Sequence, residues 1–192
     1  MTVKRFVIFL IFIGSSLSST INAQKYYTLK EANTMPPDSV FYLKINRKKL
    51  IQIPKEVLEF KKLKGLDLSK NRLENIPPVI INLSELEILD LSKNRFEIFP
   101  KVIFDIESLR VLSLGSNQLT YIPNTIYTCA MLEKLDMYNN PITDLGSGLP
   151  RLKSLLELDL RGLMYNSKKQ AEIRSELSGV NILFDAPCNC TD

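Results

Sequence analysis

Residues 63–85 (LKGLDLSKNRLENIPPVIINLSE) and 86–108 (LEILDLSKNRFEIFPKVIFDIES) carry the same apolar spacing in two successive blocks. The period of 23 residues continues along the chain, with leucines at Leu63, Leu86, Leu109, Leu132 and Leu155. Eight positions after the first four of these leucines stand Asn71, Asn94, Asn117 and Asn140. A fixed period of this length is the signature of a solenoid, in which each turn of chain stacks on the next.

The first six positions of each block predict a short strand, because apolar residues there alternate with residues of other types. Alternate side chains of a strand point to opposite faces, so the apolar ones are expected inside and the others outside. One turn cannot bury its own apolar face, and stacking therefore produces a parallel sheet. The asparagines are expected to form a structural ladder, since each amide can pair with buried backbone donors and acceptors. Prolines at positions 77, 100 and 123 fix φ on the return side, where short turns or 3₁₀ segments are expected.

The pattern L-x-x-L-x-L-x-x-N-x-L-x-x-I-P-x-x-I-x-x-L over residues 40–177 resembles the leucine-rich-repeat family, in a 23-residue, Ras-group-like form. The first repeat begins at Val40 and has Lys48 at the asparagine position, where the sixth repeat has Leu163. The resemblance implies an α/β solenoid, a right-handed horseshoe or arc of six repeats with a concave parallel sheet and terminal caps. It also implies protein–protein recognition as the default function, although a fold does not by itself fix function.

The N-terminal segment, residues 1–23, is predicted to be a secretory signal peptide of an exported, bacterial-style protein. A basic pair, Lys4 and Arg5, precedes an apolar run that ends at Ile13, and small Ala23 would precede the cut. The alternative is an uncleaved anchor, but the run is shorter than the roughly 20 residues that span a bilayer. We therefore expect a periplasmic, cell-surface or secreted protein with no transmembrane segment in the mature chain.

Departures from the repeat at both ends predict capping units. Residues 24–39 form the predicted N-terminal cap, with a short helix expected from Thr28 to about Asn33, and the spacing of Thr28 and Glu31 predicts a capping box. At the other end, a helix is expected over residues 168–177, before the predicted C-terminal cap strand and tail, residues 178–192. The strand, at about residues 180–184, would close the sheet edge, and a flexible tail is expected after it.

Composition argues against catalysis and against nucleic-acid binding. The net charge is +4, and it falls to +2 without the signal-peptide residues Lys4 and Arg5, so no concentrated basic surface is indicated. The chain contains no histidine, which excludes a Ser-His or Cys-His catalytic pair. Some bacterial members of the family carry a separate domain with a nucleophilic cysteine, but too few residues follow position 177 for one. We expect no enzyme activity, no catalytic residue, no cofactor and no metal site.

The three cysteines divide into two kinds. Cys129 occupies a position that is apolar in the other repeats, which predicts a buried, unreactive thiol. Cys188 and Cys190 form a C-x-C pair near the C-terminus, and their state stays open between a mutual bridge, a link to another protein and free thiols.

The outward positions of the strands provide the candidate partner-binding residues: Tyr42, Asp67, Ile88, Asp90, Val111, Lys134 and Tyr138. Within this set, Ile88 and Val111 are predicted neighbours that face solvent, with Tyr138 nearby. Exposed apolar patches often mark interaction surfaces, and tyrosine is favoured at their centres. The competing interpretation is that isolated exposed apolar residues are normal on any protein.

Two charged features also allow a functional and a structural interpretation. One outward column is acidic, with Asp67, Asp90, Asp136 and Asp159. This column could bind a cation or a basic partner. Alternatively, aspartate is the usual residue at this position of such strands, and Lys70, Lys93 and Lys134 screen its charge. In either case, mutual repulsion should modestly raise the carboxyl pKa values. The basic stretches 47–49 and 61–64 could attract an acidic partner or form a solubilising edge.

The leading hypothesis is therefore an exported, non-catalytic module that binds a protein or peptide on its concave face. The second hypothesis is a structural or cell-surface assembly and adhesion protein, which would use repeat edges or the convex face. The sequence leaves the oligomeric state open.

Overall fold

A single sheet of eight parallel strands organises the computed structural model, which describes residues 24–188. Neighbours in the sheet are neighbours in sequence, from β1 at one edge to β8 at the other. The strands are β1 (Tyr27–Thr28), β2 (Tyr42–Lys44), β3 (Gly65–Asp67), β4 (Ile88–Asp90), β5 (Val111–Ser113), β6 (Lys134–Asp136), β7 (Glu157–Asp159) and β8 (Asn181–Leu183). The predicted α/β solenoid with a parallel sheet is confirmed.

Strand register follows the repeat. From β2 to β7, each strand residue pairs with the residue 23 positions further along the chain. The central leucines Leu66, Leu89, Leu112 and Leu135 stand side by side on successive strands, and each is at most 1% exposed. The apolar residues therefore form one continuous interior, as the stacking of incomplete turns requires. The strand β1 was not expected from sequence, since its two residues carry no repeat signal.

Short 3₁₀ helices form the return side of the solenoid. They span Pro37–Ser39, Lys55–Glu59, Pro78–Asn82, Lys101–Asp105, Asn124–Thr128 and Leu149–Arg151. A proline stands immediately before the second, third, fourth and fifth of these helices, which confirms the prediction for prolines 77, 100 and 123 and adds Pro54 to them. One residue of each of these four is buried toward the sheet: Val57, Ile80, Ile103 and Ile126. These side chains close the core from the convex side.

The repeat asparagines bond between neighbouring turns. The Asn94 amide nitrogen donates to the carbonyl oxygens of Leu68 and Leu91, at 3.1 and 2.9 Å. Its side-chain oxygen accepts from the N–H of Leu73 at 3.0 Å. Equivalent bonds are made by Asn71, Asn117 and Asn140, each of which is at most 8% exposed.

The residue before each asparagine position adopts a left-handed backbone, with φ between 51° and 82°. These residues are Arg47, Lys70, Lys93, Ser116, Asn139 and Gly162. None of them is β-branched, which suits a conformation that is an outlier for branched side chains. The turn after each of the strands β2 to β7 is therefore tight, and in the four central repeats the asparagine that follows is directed inward.

The N-terminal end contains the predicted capped helix, α1 (Leu29–Ala32). The Thr28 hydroxyl accepts from the Glu31 N–H at 3.3 Å, while the Glu31 carboxylate accepts from the Thr28 N–H at 2.8 Å. At the other end, α2 (Ser167–Glu176) begins after the cap residue Asn166. Both helices therefore lie close to where the sequence indicated.

The segment after β8 differs from the expected flexible tail. The Asp185 carboxylate accepts a hydrogen bond from the N–H of Gly162. The backbone carbonyl of Asp185 accepts one from the Gln170 side chain at 3.1 Å. The Cys188 N–H donates to the Tyr165 carbonyl at 3.4 Å. Residues up to 188 are thus attached to the last repeat, because its open edge offers backbone donors and acceptors. The predicted signal peptide, residues 1–23, and Cys190 lie outside the described residues.

Candidate functional site

The concave face carries the side chains that alternate with the buried leucines of the strands. In one outward column, Tyr42, Ile88, Val111, Lys134 and Glu157 are all half-buried. The Lys134 ammonium lies 3.7 Å from the Glu157 carboxylate, so these two charges partly neutralise each other. The apolar half of the column and its charged half are therefore distinct surfaces.

A groove of about 320 Å³ crosses this face. Its lining residues are Tyr26, Ile88, Val111, Leu112, Ser113, Lys134, Leu135, Asp136, Glu157, Asp159, Arg161 and Leu183. Ile88 and Val111 are register partners on β4 and β5, which makes them a contiguous apolar wall. Tyr138, which the sequence placed near them, is outside this lining and stands beside the guanidinium of Arg161.

Tyr26 is a concave-face residue that sequence reasoning missed. A Cβ on Gly65 would stand 3.0 Å from the Tyr26 hydroxyl oxygen and 2.6 Å from the Tyr42 ring, so both tyrosines cover that glycine. The two rings lie 5.4 Å apart. Burial, followed by the nearby charge of Asp67, raises the pKa of Tyr26 to about 12. The glycine at position 65 was the available signal, because a residue without a side chain leaves room on the sheet for a side chain from another segment.

The acidic column has a structural role at the strand ends. The carboxylates of Asp67, Asp90, Asp136 and Asp159 each accept the backbone N–H two residues later, at 2.8–3.1 Å. Such side-chain bonds close a turn locally. This observation favours the structural interpretation of the column as a whole.

In the described part of the chain, the carboxylates at the two ends of the acidic column form ion pairs, whereas the two in its middle do not. Asp67 pairs with Lys44 at 3.1 Å, and Asp159 pairs with Arg161. Within residues 24–188, neither Asp90 nor Asp136 forms an ion pair, and the expected screening by Lys70, Lys93 and Lys134 is not seen.

Burial is the main reason why the two unpaired carboxyls titrate abnormally. It raises the pKa of Asp90, and it raises that of Asp136 to about 6. Neighbouring carboxylates add to both shifts, which agrees in direction with the repulsion expected from the sequence. Desolvation is nevertheless the larger cause.

Part of the basic edge is neutralised within the chain. Lys62 lies 2.6 Å from the Glu85 carboxylate, and Lys64 lies 3.8 Å from that of Glu87. These contacts join consecutive repeats across the surface. An acidic partner would have to compete with them, which favours the solubilising interpretation.

Groups that could support chemistry are few in the part of the chain that the structure describes. There, no three or more histidine, cysteine, aspartate or glutamate side chains are grouped to hold a metal ion. Nor does any helix there have the length and hydropathy to span a membrane. Cys129 is a buried free thiol, and burial raises its pKa to about 11.

Family comparison agrees with the repeat geometry, since the Leucine rich repeat model matches residues 39–96 and 84–142. The chain belongs to the leucine-rich-repeat family. The leucine-rich-repeat fold is commonly a protein-interaction module, whose stacked repeats present an extended concave surface. No curated protein matches the chain.

Solved leucine-rich-repeat structures share the architecture. The leucine-rich-repeat protein LIC12759 of Leptospira interrogans is 25% identical, with a TM-score of 0.63, over 86% of this chain and 49% of its own. Internalin C2 of Listeria monocytogenes is 20% identical, with a TM-score of 0.59, over 76% of this chain and 62% of its own. The chain thus spans about half of the first protein and less than two thirds of the second.

Proposed function

We propose that this protein is an exported, non-catalytic module that binds a protein or peptide on its concave face. The observation that carries the proposal is the groove on that face, whose wall includes the half-buried, adjacent side chains of Ile88 and Val111. Apolar side chains that water still reaches at the centre of a concavity gain free energy when a partner covers them. The proposed contact residues are Tyr42, Asp67, Ile88, Asp90, Val111, Lys134 and Tyr138.

Shape supports a macromolecular partner. The strands present parallel columns of side chains over successive repeats, so an extended segment can contact several turns at once. The Tyr26–Tyr42 pair at one end supplies aromatic surface, which is favoured at the centres of interfaces.

Two features of the chain support export. The predicted signal peptide, residues 1–23, has a basic start and a short apolar run. Cys188 is disulfide-bonded, and disulfides persist mainly in oxidising compartments outside the cytosol. N-terminal sequencing of the protein from culture fractions tests this part; an intact residue 1 in the cytosolic fraction would contradict it.

A pull-down with matched variants tests the binding face. The double change Ile88→Asp plus Val111→Asp adds two charges to the groove wall and should abolish capture of the partners. Val79→Asp plus Ile81→Asp, on the convex 3₁₀ helix Pro78–Asn82, adds the same charges to exposed positions and should leave capture unchanged. Circular dichroism of both variants checks the fold.

The alternative, an assembly or adhesion protein, is favoured by one convex feature. Val79 and Ile81 are 45% and 44% exposed on the same 3₁₀ helix, Pro78–Asn82, which leaves two apolar side chains of the convex side open to solvent. Loss of capture by the convex double variant, with capture retained by the concave one, would favour this alternative and overturn the concave proposal.

A further inference from the structure

Ser113 interrupts the acidic column at the floor of the groove. It is 9% exposed, and its hydroxyl makes no hydrogen bond with any other described residue. No fully buried side-chain nitrogen or oxygen among residues 24–188 lacks a partner, so the Ser113 oxygen must open into the groove. A nearly buried hydroxyl of this kind is available to a ligand, because leaving a buried polar group unpaired is unfavourable.

Two carboxylates flank that hydroxyl. Asp90 and Asp136 are the register partners of Ser113 on the adjacent strands, each about 4.8 Å away in the sheet direction. The Asp136 side chain leans over Gly115, where both its oxygens lie 3.0 Å from the position a Cβ would take. Ser113 and Asp136 both line the groove, and Asp90 stands beside Ser113 on the neighbouring strand, so three consecutive repeats place side-chain oxygen atoms on this part of the concave face.

The cations closest to this point along the sheet are already paired elsewhere. Lys134 lies 3.7 Å from the Glu157 carboxylate, and the Arg161 guanidinium binds Asp159 through three contacts. Burial leaves the Asp136 carboxyl with a pKa of about 6, which a bound cation would lower. A cationic ligand would add to the partial compensation that Lys44 gives Asp90 and Arg161 gives Asp136.

The surroundings suit a cation on an aliphatic stem. Ile88 and Val111 stand two residues before Asp90 and Ser113 on the same strands, so they share the same face of the sheet. Lysine and arginine bury their methylene groups along apolar surface while the charged end reaches polar partners.

We propose that the groove holds a lysine or arginine side chain of the partner, bound by Ser113 between Asp90 and Asp136, with its stem on Ile88 and Val111. This inference rests on the proposed function, because it names the chemistry by which the concave face would recognise a protein or peptide.

Selection of random-sequence peptides displayed on phage against the purified protein provides the probe. The selected peptides should be enriched in a lysine or arginine next to an apolar residue. Asp136→Asn should lower their affinity about ten- to a hundredfold, because it removes one partner of a charged hydrogen bond. Asparagine can still accept the Tyr138 N–H, so the turn is preserved. The matched control is Asp105→Asn on the convex side, which should leave affinity unchanged.

A double-mutant cycle isolates the pairing itself. Replacing the selected lysine with norleucine keeps the stem and removes the charge, and it should weaken binding to the unaltered protein but much less to Asp136→Asn. Equal losses with both proteins would overturn the cation site.

The outcomes also separate this inference from the proposed function. If the peptides lose binding to the Ile88→Asp plus Val111→Asp variant but lack basic residues, the cation site is wrong and the concave function stands. If the double variant binds every peptide as well as the unaltered protein does, or if no peptide is enriched, both are wrong.

Discussion

The side-chain oxygen of Asn94 accepts a hydrogen bond from the backbone N–H of Leu73 at 3.0 Å, a contact between residues 21 positions apart. The same side chain donates to the carbonyl oxygens of Leu68 and Leu91, so one buried amide joins two turns of the solenoid. The same two carbonyl oxygens also accept hydrogen bonds from Asn71 and Asn117, so the asparagines of consecutive repeats are linked through shared backbone groups. The repeat period therefore depends on hydrogen bonding as well as on leucine packing.

Replacing Asn94 with alanine should lower the free energy of unfolding by about 1–3 kcal/mol, because the buried Leu73 N–H loses its acceptor and the Leu68 and Leu91 carbonyls each lose one amide donor. Urea denaturation followed by circular dichroism measures the change. Asn75→Ala is the matched control, since Asn75 is exposed on the outer side, and it should change stability by less than about 0.5 kcal/mol. Equal midpoints for the two variants would contradict the structural role of the ladder.

Gly65→Val should move both tyrosines off the concave face. Its Cβ would stand 2.6 Å from the Tyr42 ring and 3.0 Å from the Tyr26 hydroxyl, so both side chains must shift. Once Tyr26 is exposed, its pKa should fall from about 12 toward 10. NMR titration of ring-labelled tyrosine measures this shift.

Gly115→Ala provides the control for that experiment, because its Cβ meets Asp136 on another part of the same face. The Tyr26 pKa should be unchanged in this variant. A valine at position 65 that leaves the Tyr26 titration as in the unaltered protein would show that the ring does not cover the glycine.

The repeat could be predicted from sequence because its signal is multiplied. A single leucine such as Leu112 does not predict a strand. The same spacing of leucines in successive repeats predicts the strand, its register and the burial of its side chains together. The features that were missed carry no period. Tyr26 belongs to a cap that occurs once, and its position depends on the missing side chain of Gly65, a contact between segments far apart in sequence. The attachment of Asp185 likewise depends on the open edge of a single, terminal repeat.

The candidate site was predictable only as columns of outward residues. Sequence placed Ile88, Val111 and Asp90 on one face, since strand alternation decides which side chains point outward. It could not show which carboxylates find a cation, because pairing depends on side-chain reach. Lys44 reaches Asp67, whereas Lys134 turns to Glu157.

Cys129 should be inert in the folded protein. Burial raises the pKa of its thiol to about 11, so the nucleophilic thiolate is scarce at neutral pH, and the side chain is also covered. Alkylation with iodoacetamide, quantified by mass spectrometry of the peptide that contains Cys129, should be slow in buffer and fast in concentrated urea. Similar rates under both conditions would mean that the thiol is accessible, in conflict with its position in the core.

Asp136→Asn should change how stability depends on pH. Desolvation, with the nearby carboxylates of Asp159 and Asp90, raises the Asp136 pKa to about 6, while Arg161 acts in the opposite direction. In the unfolded chain an aspartate titrates near 3.9. The folded state therefore holds this proton more tightly, and the associated stability is complete below about pH 4 and is lost as the pH rises through 6.

Asparagine cannot titrate and can still accept the Tyr138 N–H, so the variant should escape this loss. Between pH 4 and 7 its stability should rise relative to the unaltered protein by on the order of 1 kcal/mol, after allowance for solvent screening. Urea denaturation at a series of pH values measures the difference. Ser113→Ala, in the same groove but without a titrating group, should follow the unaltered profile. Parallel profiles for Asp136→Asn and the unaltered protein would show that the carboxyl is not desolvated in the fold.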